Sequence, residues 1–197
     1  MDHVHTLMLD GIWGRPRRFE PLLDMLRESC GPAEIFHYDS SGLRTFEELG
    51  SQLVVEIRQQ KRPANLIGFS MGGLVIRAAH LLDQGLPIHR AVFLNSPHKG
   101  TLMAYAFPFG GIGQLRPTAP FIQSLKLVDW NIPTLATWCP LDTMVVPGSS
   151  ARWRKAQRTI RCTVPIHVWP IFSRSIWRQA VEFLSVPDSV TTQSEAA

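Results

Sequence analysis

Short apolar runs alternate along the chain with stretches whose apolar positions recur at helical spacing. The runs have strand length, end at glycine, proline or polar residues, and lie at residues 7–9, 35–38, 65–69, 91–94, 133–139 and 159–164. Between them, apolar side chains at i, i+3, i+4 and i+7 predict amphipathic helices, as at Phe19, Leu22, Leu23 and Leu26 and at Phe46, Leu49, Leu53 and Ile57. Strands that alternate with helices predict an α/β fold, with a mainly parallel central sheet covered by helices on both faces.

The chain has the length of one globular domain. Its 197 residues, 45% of them hydrophobic, allow a sizeable core. We assign residues 1–184 to this domain and interpret residues 185–197, which are polar and aperiodic, as a loose tail. Residues 102–128 form an insertion between two predicted strands. About thirty residues are too few for a separate core, so we expect a minimal lid and an open site.

The charge of the chain limits the classes of binding partner, and its cysteines indicate which kind of cysteine site it can contain. The net charge is +4, with basic clusters at residues 15–18 and 152–155. No nucleic-acid motif accompanies either cluster, so we expect solvated basic faces and no nucleic-acid partner, with contact to an anionic lipid surface as an alternative. The cysteines, Cys30, Cys139 and Cys162, lack the close spacing of a metal site and are odd in number, which predicts buried thiols.

The hydropathy of the chain does not indicate a membrane protein. The first ten residues lack the basic and long apolar regions of a secretory signal, and no run approaches the roughly 20 apolar residues of a membrane span. We therefore expect a cytoplasmic protein. The sequence leaves its oligomeric state open.

The strongest chemical signal lies at the end of the run at residues 65–69. An apolar strand, the pentapeptide Gly-Phe-Ser-Met-Gly and a helix start follow one another without a break. Gly68 and Gly72 give the space that a sharp strand-to-helix turn needs, and Ser70 is then exposed at the positive end of the helix. This context predicts that Ser70 is a nucleophile, although serine between glycines is more often structural.

A serine hydroxyl needs a histidine to take its proton and an acid to orient that histidine. Asp142 follows the run at residues 133–139, and His167 follows the run at residues 159–164. In a parallel sheet these positions share the edge at which sites form. Asp129 is the alternative acid and His98 the alternative histidine.

Four segments resemble those of the α/β-hydrolase superfamily, and within it the small bacterial lipases and esterases. They are residues 10–14, 68–73, 95–101 and 142–147, the last followed by His167. In this superfamily the acid and then the histidine follow the serine, as Asp142 and His167 follow Ser70 here. The resemblance implies that these three residues form a catalytic triad.

The resemblance also implies an oxyanion hole. Its donors would be the N–H groups of Ile12 and Met71, with Trp13 as the alternative donor. The chain departs from the superfamily at Asp10, where a histidine is usual. A carboxylate is compatible with an oxyanion site only if it points away or pairs with a cation such as Arg15 or Arg17.

We therefore expect an enzyme that hydrolyses carboxylic esters, an esterase or lipase acting on a small-molecule ester or lipid, without metal or organic cofactor. Trp13, Phe107 and Phe109 are the expected pocket residues. The glycine-rich segment at residues 107–113 is either a flexible wall of the acyl pocket or an ordinary loop that packs its phenylalanines into the core. Three alternatives remain: an acyltransferase using the same triad, cleavage of other acyl bonds such as amides, and a hydrolase-like binding protein without activity.

Overall fold

A computed structural model describes residues 4–107 and 110–186 of the chain. Six strands form one all-parallel sheet with the order β2-β1-β3-β4-β5-β6. The strands are β1 (His5–Leu9), β2 (Ala33–Ile35), β3 (Ala64–Phe69), β4 (Ile88–Leu94), β5 (Thr134–Trp138) and β6 (Arg158–Arg161). The three central strands β1, β3 and β4 are largely buried, which explains their continuous apolar sequence. The predicted α/β fold is confirmed.

Helices cover both faces of this sheet. They are α1 (Glu20–Ser29), α2 (Phe46–Gln60), α3 (Met71–Leu82), α4 (Gly110–Gly113), α5 (Pro120–Leu127) and α6 (Arg174–Ser185). Apolar residues of α2, α3 and α5 form the core on one face, and those of α1 and α6 form the core on the other. The two cores share the central strands, so the carboxyl ends of the strands are held along one rigid edge.

Helix α2 begins at a capping box formed by Thr45 and Glu48. The Thr45 hydroxyl accepts the N–H of Glu48, and the Glu48 carboxylate accepts the N–H of Thr45, so two of the helix's free donors are satisfied. In the middle of the helix, a Cβ on Gly50 would lie 2.9 Å from backbone atoms of Ala78. Glycine at this position therefore allows α2 to pack closely on α3.

Two edge strands differ from their predicted bounds. The run at residues 35–38 predicted a strand, but β2 is formed by Ala33–Ile35. Phe36 and Tyr38 lie beyond it: the Phe36 N–H still donates to the Met8 carbonyl at 2.9 Å, and both rings pack against the core over α2 and α3. Strand β6 is mostly exposed and ends at Arg161, so the predicted extension to residue 164 is wrong. Only the Cys162 N–H continues the ladder, donating to the Trp138 carbonyl at 2.8 Å.

The insertion at residues 102–128 has local structure of its own. A 3₁₀ turn at Leu102–Tyr105 leads to α4 and then to α5. Phe121 of α5 stacks on Phe46 at 4.5 Å between ring centres, so this part of the insertion is anchored in the main core. Phe109 and residues 187–197 of the expected tail lie outside the described residues, and Ser185 still belongs to α6.

Candidate active site

Ser70 lies in the sharp turn between β3 and α3, with φ 51° and ψ −117°. This is a strained conformation for a residue with a side chain. A Cβ on Gly68 would lie 2.5 Å from the Cα of Gly73, and one on Gly72 would lie 2.5 Å from the carbonyl oxygen of Asp10. Both glycines are therefore needed sterically, as the sequence predicts, and the turn presents Ser70 at the amino end of α3.

Three side chains that are distant in sequence form one hydrogen-bonded chain. His167 Nδ1 lies 2.8 Å from Asp142 Oδ2, and His167 Nε2 lies 2.8 Å from Ser70 Oγ. A carboxylate can only accept, so Nδ1–H donates to Asp142, and in the neutral imidazole Nε2 accepts the proton of the Ser70 hydroxyl. In this arrangement the imidazole can take a proton from the serine.

The Asp142 carboxylate is itself held in place. Its Oδ1 accepts the N–H groups of Met144 at 2.8 Å and Val145 at 2.9 Å, so the following loop wraps around it. The residue is buried, with 4% of its surface exposed. These backbone bonds leave Oδ2 directed at His167.

Asn95 supports this chain of side chains and was not among the predicted site residues. Its Nδ2 donates to Asp142 Oδ2 at 3.4 Å and to the His167 carbonyl at 3.2 Å, while its Oδ1 accepts from the Thr137 hydroxyl at 2.9 Å. Asn95 ends β4 with φ 48°, a left-handed conformation that asparagine tolerates better than most residues. The sequence signals for it were its position directly after a buried strand and its place in the segment at residues 95–101 that resembles the superfamily.

Two backbone N–H groups beside Ser70 have no hydrogen-bond acceptor among residues 4–107 and 110–186: those of Ile12 and Met71. The backbone at Gly11 passes close to the serine, because a Cβ there would lie 3.0 Å from Ser70 Cβ. Trp13, the alternative donor, already donates its N–H to the Ser40 carbonyl at 2.8 Å. The structure therefore favours Ile12 and Met71 over Trp13 as donors to a ligand oxygen.

Asp10 is turned away from this position. Its Oδ1 accepts the Gly11 N–H at 2.6 Å and pairs with the guanidinium of Arg18. The expected cations were Arg15 and Arg17, and that expectation is wrong: both are exposed, whereas Arg18 is half-buried over the Phe69 ring. The first turn of the 3₁₀ segment at Pro16–Phe19 brings Arg18 back over the loop, which sequence spacing alone does not show.

Tyr38 holds the same loop from its other side. The Tyr38 hydroxyl donates to the Asp10 carbonyl oxygen. Burial, followed by the nearby Asp10 charge, raises the pKa of Tyr38 above its ordinary value, so the phenol keeps its proton. Arg18 thus holds the side chain of Asp10 and Tyr38 holds its carbonyl group, so the residue that precedes Gly11 and Ile12 is fixed.

An apolar cleft of about 590 Å³, including its open mouth, lies over Ser70. Ile12, Met71 and His167 line its base, together with apolar residues of the insertion and of the loop after Asp142. Trp13 and Phe107 line its mouth edge to face, with ring centres 6.4 Å apart. Phe107 is 37% exposed, which favours the pocket-wall interpretation of its segment over core packing.

The alternative residues lie outside this chain of hydrogen bonds. His98 is buried between the rings of Phe93 and Trp153, at 4.8 and 4.2 Å, and makes no contact with Asp142. Asp129 is exposed, and its carbonyl, not its carboxylate, accepts from His80 Nε2 at 2.9 Å. The structure thus brings Ser70, His167 and Asp142 together and leaves His98 and Asp129 apart.

The described residues contain neither a candidate metal site nor a candidate membrane-spanning helix. Residues 4–107 and 110–186 contain no group of three or more His, Cys, Asp or Glu side chains placed to hold a metal ion. No helix within the same ranges has both the length and the apolar character needed to cross a lipid bilayer.

One protein-family profile covers most of the chain. The profile described as "Alpha/beta hydrolase family" matches residues 8–190. No curated protein sequence matches the chain significantly.

Solved structures resemble this chain at low sequence identity. Bacillus licheniformis lipase BlEst2 in its mature form has a TM-score of 0.71 at 13% identity, covering 93% of each chain. Paleococcus ferrophilus monoacylglycerol lipase has a TM-score of 0.70 at 12% identity, covering 92% of this chain and 93% of its own. Aspergillus fumigatus lipase B has a TM-score of 0.77 at 15% identity, and the present chain spans about half of it, 52%. At these identities the likeness concerns the fold.

Proposed function

Since this chain belongs to the α/β hydrolase family, we propose that it is a serine hydrolase that cleaves carboxylic esters through an acyl-enzyme. The observation that carries the proposal is the hydrogen-bonded chain from Ser70 through His167 to Asp142. Such a chain supplies what a serine needs to become a nucleophile: a base within hydrogen-bond distance and an acid that fixes the base's tautomer.

In the first half-reaction Ser70 Oγ attacks the ester carbonyl carbon while its proton passes to His167 Nε2. The tetrahedral intermediate collapses, and Nε2–H gives that proton to the leaving alcohol. Water then attacks the acyl-enzyme, losing a proton to Nε2, and the acid is released as Ser70 regains its proton. Asp142 keeps accepting the Nδ1–H of His167 and stabilises the imidazolium in both steps.

The oxyanion of each intermediate accepts the N–H groups of Ile12 and Met71. The support is that both donors are unpaired among the described residues and flank Ser70. Preorganised donors of this kind contribute about 10²–10³ each to turnover. Because Asp10 is paired with Arg18, its charge does not oppose the developing negative charge.

The substrate has an apolar acyl group. The cleft over Ser70 is lined mainly by apolar side chains, as binding sites for apolar ligands are. Trp13 and Met144, 59% and 40% exposed, leave the mouth apolar, which suits an ester presented at a lipid surface. The structural neighbours named as lipases, one of them a monoacylglycerol lipase, are consistent with this substrate class.

A series of chromogenic esters from acetyl to palmitoyl, measured with and without a lipid interface, tests the proposal. We expect turnover in the wild-type protein and its loss in Ser70→Ala, with Ser175→Ala, an exposed serine, as matched control. A fluorophosphonate should label the wild type at Ser70 only. Absence of both labelling and turnover would favour a binding protein, and faster acyl release on adding alcohols would favour an acyltransferase.

A further inference from the structure

A second cavity, of about 570 Å³ including its mouth, lies on the other side of the loop that follows β4. Pro97 in this loop lines the apolar cleft, and its neighbour His98 lines the second cavity. Six cationic side chains surround the latter: Arg77, Lys99, Lys126, Arg152, Arg154 and Lys155. They come from four separate segments, so the fold and not one basic stretch assembles the site. We call this cavity the basic pocket.

No acidic side chain lines the basic pocket, and within residues 4–107 and 110–186 none of the six cations forms an ion pair. Other arginines of the protein behave differently. Arg27, Arg44 and Arg58 each pair with at least one carboxylate. Cations that line one cavity without a counter-charge repel one another, and the repulsion is relieved when an anion binds among them.

Arg77 forms the floor of the basic pocket. Its guanidinium lies 4.7 Å from the Trp153 ring centre, and it donates to the carbonyls of His98 at 3.1 Å and Leu125 at 2.5 Å. Burial lowers the pKa of Arg77 to about 10, so at neutral pH the group keeps a charge that the protein alone does not neutralise. A buried charge with only neutral partners favours an anionic ligand.

His98 gives an independent sign of a missing partner. Only 4% of its surface is exposed, it forms part of the pocket wall, and neither ring nitrogen has a hydrogen-bond partner among the described residues. Burial, with the charges of Arg77 and Lys99, holds the pKa of His98 well below its ordinary value, so the ring is neutral and carries one N–H. A buried donor without an acceptor is costly, and an anion in the pocket would supply the acceptor.

We propose that the basic pocket binds a phosphate group, either of a soluble phosphate ester or of a lipid headgroup. A phosphate monoester carries up to two negative charges and three terminal oxygens, so it can pair with cations that approach from several directions. His98 makes no hydrogen bond to Ser70, His167 or Asp142. The basic pocket is therefore a binding site distinct from the apolar cleft. It therefore stands or fails independently of ester hydrolysis.

Isothermal titration calorimetry at constant ionic strength, with phenyl phosphate and with inorganic phosphate, tests the pocket. The variant is Lys99→Gln, Lys126→Gln and Arg154→Gln together, which removes three exposed charges at the rim and leaves Arg77 in place. The matched control is Arg62→Gln, Arg174→Gln and Arg178→Gln, which removes the same charge from exposed sites elsewhere. Because a hydrogen bond to a charged group is worth about a tenfold change in affinity, we expect the rim variant to bind at least about tenfold more weakly and the control to bind within about twofold of wild type.

A second arm separates the two sources of phosphate. Co-sedimentation with phosphatidylcholine vesicles, with and without phosphatidic acid, is measured for the same three proteins. Retention that requires phosphatidic acid and is lost only in the rim variant assigns the pocket to a lipid headgroup, whereas saturable binding of phenyl phosphate without vesicle binding assigns it to a soluble ester. No saturable binding in either arm, or an equal loss in the control variant, overturns the proposal.

Discussion

The apolar cleft and the basic pocket lie on opposite sides of one loop and differ in how their polar groups are satisfied. In the cleft, Ser70, His167 and Asp142 are bonded to one another, and the N–H groups of Ile12 and Met71 have no partner within the described ranges. In the basic pocket, the ring nitrogens of His98 and the charge of Arg77 have no partner of the needed kind in the part of the chain that the structure describes. Paired groups are ready to act on one another, and unpaired groups indicate where a ligand's oxygen would be received.

This contrast predicts opposite outcomes for His98 and His167. His167→Ala should lower kcat for ester hydrolysis by about 10³–10⁶, because Ser70 loses its base. His98→Asn should leave kcat within about threefold of wild type if His98 belongs to the second cavity. Steady-state kinetics on refolded, spectroscopically native protein would measure both. A collapse of kcat in His98→Asn alone would exchange the roles assigned to the two rings.

A smaller effect is expected at the loop that carries Ile12. Arg18→Gln leaves the Asp10 carboxylate buried and unpaired beside the oxyanion position. We expect kcat to fall by about 10–10² with little change in KM, together with a loss of about 3–5 kcal/mol in the free energy of unfolding. Denaturant titration and kinetics would measure the two effects.

The chain offers its own controls for this change. Arg15→Gln and Arg17→Gln remove neighbouring exposed charges and should leave kcat and stability nearly unchanged. Adding Asp10→Asn to Arg18→Gln removes the unpaired charge and should restore part of kcat. If Arg17→Gln were as harmful as Arg18→Gln, the assignment of Arg18 as the partner of Asp10 would be incorrect.

The pH dependence of stability separates the basic pocket from the cleft more finely. The pKa of His98 is lower in the folded protein than in the unfolded chain, so the unfolded chain binds more protons. Stability from His98 is therefore present above the unfolded pKa of about 6.5 and is lost as pH falls below it, by up to ~1.4 kcal/mol per pH unit. Denaturant titrations of wild type and His98→Asn between about pH 5.5 and about pH 7.5, roughly one unit on either side of that value, should converge as pH falls. Parallel curves would show that His98 is not buried in neutral form.

The smallest expected change is in ester turnover by the variant with Gln at positions 99, 126 and 154. Because none of these side chains lines the apolar cleft, kcat for an uncharged ester should stay within about twofold of wild type. Chromogenic ester kinetics would measure it. A large loss would mean that the two cavities are coupled through the loop that they share.

Features that depend on a few neighbouring residues were predicted correctly from the sequence. The alternation of strands and helices and the steric need for Gly68 and Gly72 follow from short-range patterns, and the structure agrees with them. The structure also brings Ser70, Asp142 and His167 together, as their positions after strand ends predict. Their catalytic roles stay predictions until activity is measured.

Some features that depend on contacts between distant segments were not predicted correctly, because the order of residues along the chain does not show which segments pack together. The observed bounds of β2 and β6 differ from the predicted ones because an edge strand has a partner on one side only, so fewer hydrogen bonds fix where it ends. Phe109 and most of the expected tail fall outside the described residues and stay predictions.

What the sequence determined by itself is the parallel α/β framework and the sharp turn at Ser70, since periodicity and glycine placement act over a few residues; the expected exposure of Ser70 is wrong, because 8% of its surface is exposed under the cleft. Only the tertiary structure decided that Asp10 pairs with Arg18, that Asn95 supports Asp142, and that the basic residues 152–155 border a cavity with Arg77. The physical reason is that a side chain's charge state and orientation depend on what packs against it, and the groups that pack against these residues come from segments far apart in the chain.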